Sequence, residues 1–309
     1  MDDIARIRDL ITRHAGTGIT TTVVPGLYVM LAESPTVPLG HLSKPSLAFV
    51  AGGAKMTLLG DKVMHYGAGE YLVVGAELPV TAHISAASAK EPFLGFGLDL
   101  DPGAVAALLL EAGEARAGEQ RSRIGAAAQL TPVGMAVSEI DAPLLNALAR
   151  LVSLLDEPAH IPGLAPAYER EILWRILAGP QGELVRQVGL PDSRLTHISR
   201  SLRFIRDHYR QPIKIEQLAQ LSAMSPASFH RHFHAVTNMT PIQFQKQLRL
   251  QAARALLMAD PGDVAGAGFA VGYESASQFS REYRREYGES PGRDAQTLRD
   301  TASTAVVTI

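Results

Sequence analysis

The stretch that decides the fold runs from Leu218 to Leu257, LAQLSAMSPASFHRHFHAVTNMTPIQFQKQLRLQAARALL, and is echoed from Val271 to Pro291 by VGYESASQFSREYRREYGESP. In the first stretch Leu218, Ala219 and Leu221 give a short helix with a small residue on its inner face. Ala223-Met224-Ser225-Pro226 follows. Ser225 is a strong N-cap and Pro226 an ideal first helical residue, so a second helix starts there. Phe229 and Phe233 recur at i, i+4 and mark the face it buries. Two short helices joined by a tight turn, the second buried by two aromatics, predict a helix-turn-helix unit.

With the aromatic pair inward, Ala227, Ser228, His230, Arg231 and His234 face out. A surface helix with no acids, one Arg and two His suits a major groove lined by acceptors and flanked by phosphate. The pattern recurs about 50 residues later. Val264 to Val271 reads as a short helix, Gly272-Tyr273-Glu274 as the turn, and Ser275 with Gln278 as a capping box. Phe279 and Tyr283 repeat the inward pair, leaving Ala276, Ser277, Ser280, Arg281 and Arg284 outside with Arg285 beside them. Between the units, Pro241 to Met258 reads as one longer helix with Phe244, Leu248, Leu256 and Leu257 inward and Lys246, Arg249 and Arg254 outward. One rigid helix holding two reading heads would set them a turn of DNA apart, about 34 Å.

Working outward, 309 residues predict two domains. The net charge of −2 discourages a nucleic-acid reading until it is divided along the chain. Residues 1–192 hold 14 Lys+Arg against 21 Asp+Glu, while residues 193–309 hold 15 against 10. The basic surplus therefore falls in the half that carries both units. The absence of cysteine excludes disulfides, thiolate metal sites and thiol catalysis, including the acceptor cysteine of DNA-repair methyltransferases. Apolar runs such as Val105 to Leu110 are too short to span a membrane, and an acidic N-terminus is unlike a secretory leader, so the expected location is the cytoplasm.

After an amphipathic segment from Asp3 to His14, the first hundred residues read as short strands. Leu27–Ala32, Ser46–Val50, Lys55–Leu59, Lys62–Tyr66, Tyr71–Val74, Val80–Ser85 and Phe93–Leu98 are bounded by turn residues, with Gly60-Asp61 a hairpin turn. Such strands predict an antiparallel barrel or sandwich. Helical periods begin at Asp101-Pro102 and run to Glu111, and Gly113 to Arg123 reads as an exposed loop. Further helices are Ala142–Leu155, Pro166–Leu177 and Ser193–Tyr209. The glycines and prolines of 179–192 predict a linker. The expected organisation is a sensor and dimerisation domain over 1–178, the linker 179–192, a DNA-binding domain over 193–298 and a disordered tail over 299–309.

These residues resemble those of a known family. The double motif, above all Gly272-Tyr273-Glu274-Ser275 with Phe279, Arg281, Tyr283, Gly288 and Ser290-Pro291, is similar to the DNA-binding domain of AraC/XylS transcriptional regulators. Upstream, PGLYVMLAESPTVPL through GPQGELVRQVGL resembles the cupin-like N-terminal domain of one AraC-type subgroup. The resemblance implies an α+β chain: an antiparallel cupin-like β-barrel with helices, then an all-α double helix-turn-helix domain. It implies a regulator rather than an enzyme, an activator binding double-stranded promoter DNA, RNA polymerase as partner, a homodimer, a small-molecule effector and no cofactor. It assigns base or phosphate contacts to Ala227, His230 and Arg231, and to Ala276, Ser277 and Arg281. A cupin-type metalloenzyme fused to a DNA-binding module and a regulator without an effector are the alternative readings.

Two departures matter. The turn position that carries Gly in the family is Ala223 here, so this turn must tolerate a Cβ. Gly266 and Gly268 lie inside the first helix of the second unit, where they cost roughly 2 kcal/mol against alanine, so this helix is expected to be loose without DNA. In the N-terminal half, Tyr28, His41, His65, Tyr66 and His83 are candidate effector-lining residues. No His-x-His stands there to hold a cupin metal, and His230, His232 and His234 sit on a helix where i and i+2 diverge. Trp174 is expected in the core. The Leu144–Leu155 stripe has two readings: it packs on its own barrel or, as the resemblance favours, forms half of a two-fold dimer interface.

Overall fold

A computed structural model describes residues 2–16, 18–115 and 134–304. The chain opens with helix α1 (Asp3–His14), whose Ile7, Leu10 and Ile11 are buried at the spacing of one helical face. Strands β1 (Gly18–Thr21), β2 (Leu27–Ala32), β3 (Leu39–Ser43), β4 (Ser46–Gly52), β5 (Ala54–Leu59), β6 (Lys62–Gly67), β7 (Glu70–Val74), β8 (Leu78–Ala86) and β9 (Phe93–Asp99) follow, and β10 (Met135–Glu139) comes later. Seven of them match the predicted strands to within about two residues at either end. β1, β3 and β10 escape the sequence reading because each is short and carries few buried residues to set an alternation.

All pairings are antiparallel, in a six-stranded sheet ordered β1-β2-β9-β4-β7-β10 and a four-stranded sheet ordered β3-β8-β5-β6. The barrel expectation is corrected to this extent: the two sheets do not close. The β5–β6 hairpin turns through Gly60-Asp61 as predicted, with Leu59 paired to Lys62 and Gly60 at φ +61°.

Helices α2 (Pro102–Ala115), α3 (Ala142–Ser153), α4 (Ile161–Ala178) and α5 (Gly182–Gly189) complete this half. The first of these runs four residues beyond the predicted end; the rest of the predicted loop, 116–123, lies outside the described residues. The leucine stripe of α3 is spent inside its own chain. Leu144, Leu148, Leu151 and Val152 are buried where α3 packs on α1 and α4, so they are not half of an intermolecular interface. Trp174 is 47% exposed rather than in the core.

The expected linker is a packed helix. α5 buries Leu184 and Val185, and its glycines mark close approaches rather than flexibility: a Cβ on Gly182 would meet the Leu177 carbonyl oxygen at 2.2 Å, and one on Gly189 would meet Val105 at 2.6 Å. From there the chain is helical: α6 (Arg194–His208), α7 (Ile215–Leu221), α8 (Pro226–Thr237), α9 (Pro241–Ala259), α10 (Val264–Ala270), α11 (Ala276–Tyr287) and α12 (Pro291–Thr304). The tail expected to be disordered from 299 is helical to Thr304, and residues 305–309 lie outside those described.

Packing redraws the domain boundary. One apolar core runs from Ile7 through both sheets and α3 to Phe229, Phe233, Phe244 and Leu248, so the first helix-turn-helix unit shares its core with the N-terminal half. The second unit has its own core, built on Leu250, Leu257, Val271, Tyr273, Phe279 and Tyr283. Polar contacts join α6, the first unit and α9 to the N-terminal half as well. Asn238 meets Asp61, Gln251 donates to the Val80 carbonyl, Arg254 to that of Pro38, and Arg206 pairs with Glu77.

Candidate nucleic-acid interface

Each recognition helix is built by the same local chemistry. Ser225 caps α8 by accepting from the Ser228 amide (3.4 Å), and Ser275 caps α11 by accepting from the Gln278 amide (3.3 Å). The capping box predicted at Ser275 forms only on that side, because the Gln278 side chain turns to Glu282 at 3.3 Å. A complete box stands instead at Thr240 and Gln243, starting α9. Both recognition helices end on a left-handed residue, Asn238 at φ +55° and Gly288 at φ +81°.

The two turns match closely. In the first, the Met224 amide donates to the Ala219 carbonyl and Ala223 sits at φ +52°; in the second, the Tyr273 amide donates to the Gly268 carbonyl and Gly272 sits at φ +94°. Left-handed backbone costs a residue with a Cβ about 1–2 kcal/mol. Ala223→Gly is therefore expected to raise unfolding stability, by up to about 1 kcal/mol after the greater freedom of glycine in the unfolded chain is subtracted. Urea denaturation checks this, and a lower midpoint for the variant would contradict the strain. The interior Gly268 also has a packing reason, since a Cβ there would meet the Phe279 ring at 2.9 Å.

Aromatic packing sets which face looks outward. Phe229 and Phe233 pack with tilted rings whose centres are 5.3 Å apart, and Phe233 meets Phe244 of α9 edge-on at 5.5 Å. In the second unit Tyr273, Phe279, Tyr283 and Tyr287 form a ladder with spacings of 5.3, 5.5 and 4.6 Å. Ala227, His230, Arg231 and His234 are exposed on α8, and Ser277, Arg281, Arg284 and Arg285 on α11; Ser228, Lys246, Ala276 and Ser280 are half-buried. His232, between the exposed histidines, is buried, and its Nδ1 has no hydrogen-bond partner.

The other predicted cations divide by what they touch. Among the described residues, Arg231, Lys246, Arg281, Arg284 and Arg285 make no ion pair or hydrogen bond. Arg249 is different: its Nε donates to the Tyr209 carbonyl (2.6 Å), its Nη1 to that of Gly272 (2.9 Å), and its guanidinium lies 5.8 Å from the Tyr273 ring centre. Arg254 forms a buried bidentate pair with Asp294 at 2.8 and 2.9 Å. Arg249 was expected to face DNA and Arg254 to lie outward; both instead hold helices together. Sequence periodicity placed them on the outer side of α9, and α6, α10 and α12 cover that side.

The effector candidates fall on two surfaces. Tyr28 pairs in register with Gly97, and a Cβ on Gly97 would lie 2.0 Å from the Tyr28 ring, so the phenol lies across the glycine between the sheets. Tyr66 is buried on the facing sheet, its hydroxyl 3.4 Å from that of Thr57. His65 and His83 both pair with Met56, on the opposite face of that sheet from Thr57 and Tyr66, and do not look into the space between the sheets. Among the described residues no three His, Asp or Glu side chains gather as a metal-ligand set. Among the described residues no helix is long and apolar enough to cross a membrane.

His41, on the edge strand β3, keeps part of its ring exposed, but its Leu39–Ser43 strand lies over the space beside Lys55, and its pKa is lowered to about 4, by desolvation first and then by the Lys55 ammonium. A histidine whose folded value lies below its unfolded value of about 6.5 stays neutral while the unfolded chain takes up a proton. Its contribution is whole above about pH 6.5, and stability falls as pH drops from there to about 4. Urea midpoints across that range should fall more steeply for the wild type than for His41→Gln; equal slopes would remove His41 as the cause.

Comparison with known proteins agrees with this geometry. The model of the AraC-type transcriptional regulator N-terminus matches residues 23–184, and that of a helix-turn-helix domain matches 218–296. The chain is 30% identical over 163 residues to the HTH-type transcriptional activator RhaS of Escherichia fergusonii, covering 50% of this chain and 58% of that protein. RhaS of an Escherichia coli strain is 28% identical over 160 residues, covering 51% and 56%. The matches thus span little more than half the length of these curated relatives. ToxT from Vibrio cholerae shares the fold at a TM-score of 0.52 with 6% identity, over 87% of this chain and 97% of that one.

Proposed function

Because the chain belongs to the AraC-type transcriptional regulators, we propose that it binds double-stranded promoter DNA through α8 and α11 and activates transcription from it. The observation that carries this reading is the distribution of cations. The arginines held between helices are engaged, Arg254 by Asp294 and Arg249 by backbone carbonyls, while among the described residues Arg231, Arg281, Arg284 and Arg285, on the two recognition helices, are exposed and unpaired. Unpaired guanidinium groups on a helix that fits a major groove are suited to guanine edges and phosphates. Ser277 and His230 add hydrogen-bonding groups beside them, and Ala227 and Ala276 offer apolar contact, as to a thymine methyl.

The chain works in this reading as a cytoplasmic regulator without enzymatic activity, contacting RNA polymerase and controlled by a small molecule held between the two sheets of the N-terminal half. A homodimer would bring two copies to paired half-sites, through a surface other than the α3 leucine stripe. Duplexes selected from a random library by the wild-type protein provide the test. Arg231→Ala and Arg281→Ala are each expected to weaken binding to the selected site by about 1–3 kcal/mol, roughly 5- to 150-fold. Undiminished affinity in both variants would dismiss these helices as the reading heads.

A further inference from the structure

A cavity of about 330 Å³ opens where the edge strand β10 meets α5. It lies outside the space between the sheets. Ser138 in its wall pairs with Tyr71, and Tyr71 with Phe49, which puts Ser138 on the opposite face of the six-stranded sheet from Ala48, Gly97 and Tyr28.

The polar part of the lining is made of groups that accept hydrogen bonds. Gln181, at the N-cap of α5, donates through Nε2 to the Ser138 hydroxyl at 3.0 Å, and Gln187 donates through Nε2 to Glu183 at 3.5 Å. The two glutamines are only 4% and 3% exposed, and the carbonyl oxygen of each has no donor among the described residues. Turning the Gln187 amide over would set its oxygen against the Glu183 carboxylate, so the oxygen is the end left over. Glu183 is half-buried, and its ion pair with Arg186 is long, at 3.8 Å. Arg186 itself stands outside the lining, where it donates to the Leu177 carbonyl at 2.9 Å.

A buried carbonyl without a donor is costly, and a ligand carrying N–H groups removes that cost. The charge that suits the cavity is positive, because its lining holds one carboxylate and no Lys or Arg among the described residues. An anion would meet acceptors of its own kind, whereas a primary ammonium brings three donors and no acceptor. Ala136, Val137, Pro180 and Leu184 make the remaining wall apolar, which favours an organic body over a bare metal ion.

We propose that this cavity binds a small organic cation, a primary amine with an apolar body, whose ammonium donates to the carbonyls of Gln181 and Gln187 and pairs with Glu183. The site is independent of the DNA-binding reading, yet it lies where the two halves join. The Ser193 hydroxyl that caps α6 donates to the main-chain carbonyl of Gln187 at 2.6 Å, so the ligand sits on the residue that anchors the helix leading into the first unit. Sequence reading passed over both glutamines because a glutamine in an expected linker looks solvated; only the packing of α5 on β10 encloses them.

Thermal melting of the full chain at neutral pH and constant ionic strength tests the proposal. The probes are benzylamine, phenethylamine and hexylamine hydrochlorides, each against benzyl alcohol, phenethyl alcohol and hexanol, and all against potassium chloride. At least one amine is expected to raise the melting temperature where its alcohol and the salt do not. Gln187→Leu should weaken that amine by about ten-fold or more in calorimetry, as a hydrogen bond to a charged donor is lost. Without ligand, Gln187→Leu should melt no lower than the wild type, since a buried carbonyl without a donor has been removed. Glu183→Gln, which keeps an acceptor for the Gln187 amide, should weaken the same amine several-fold and guards against a folding defect in the first variant. A flat response to all three amines, an equal response to their alcohols or to potassium chloride, or unchanged amine binding in either variant overturns the site.

Discussion

Asp294→Ala is expected to lower unfolding stability by about 3–5 kcal/mol, the usual consequence of removing one partner from a buried ion pair. The carboxylate of Asp294 accepts from Arg254 through both oxygens and from the Tyr283 hydroxyl at 2.7 Å, and the side chains of the pair are only 11% and 10% exposed. Its removal leaves a guanidinium packed 4.3 Å from the Tyr287 ring centre with no counter-charge, and a buried phenol with no acceptor. Tyr283 is the inward anchor of α11, so the second recognition helix loses its seat along with the pair. Urea denaturation gives the stability, and binding to selected duplexes should fall with it. The double variant Asp294→Leu with Arg254→Met should recover much of the stability, because an apolar pair of similar volume avoids burying charge. A loss under about 1 kcal/mol for Asp294→Ala would mean that water reaches the pair and screens it.

How much of this was legible in the sequence depended on whether a residue's partners lie close in the chain. Ser225-Pro226, Ser275 and the i, i+4 aromatics are local signals, and the structure keeps them almost residue for residue. The hairpin at Gly60-Asp61 was legible for the same reason. Gly182 and Gly189 misled because a glycine that admits a close neighbour has the same letter as one that bends the chain; only the approach of Leu177 and Val105 separates the two. The α3 leucines announced burial without saying against what, and α1, more than a hundred residues earlier, supplies the partner. Arg249 and Arg254 were assigned outward by a single helix's period, which has no information about the helices that cover it. The exposed residues of α8 and α11 could be named from the sequence, but which of the cations were free could not.

Arg249 separates these two roles by experiment. Its guanidinium reaches the carbonyl of Tyr209 at the end of α6 and that of Gly272 in the second turn, so one side chain ties the helix that precedes the first unit to the turn of the second. Gln245 reinforces the same junction, donating to the Tyr209 carbonyl at 2.9 Å and to that of Gln211 at 2.6 Å. Arg249→Ala is expected to lose about 2–4 kcal/mol of stability, since charged donors are removed and carbonyls are left without them. Arg249→Lys should recover little, because a single ammonium cannot span carbonyls that a planar fork reaches together. DNA affinity should fall through disordered geometry while the slope of log affinity against log salt stays near the wild-type value. A cation that touches phosphate behaves in the opposite way, leaving stability intact and reducing that slope by about 1 when removed. Measuring both quantities for Arg249→Ala and Arg284→Ala therefore places each side chain in one class. Full stability with a shallower slope for Arg249→Ala would return it to the DNA-facing set.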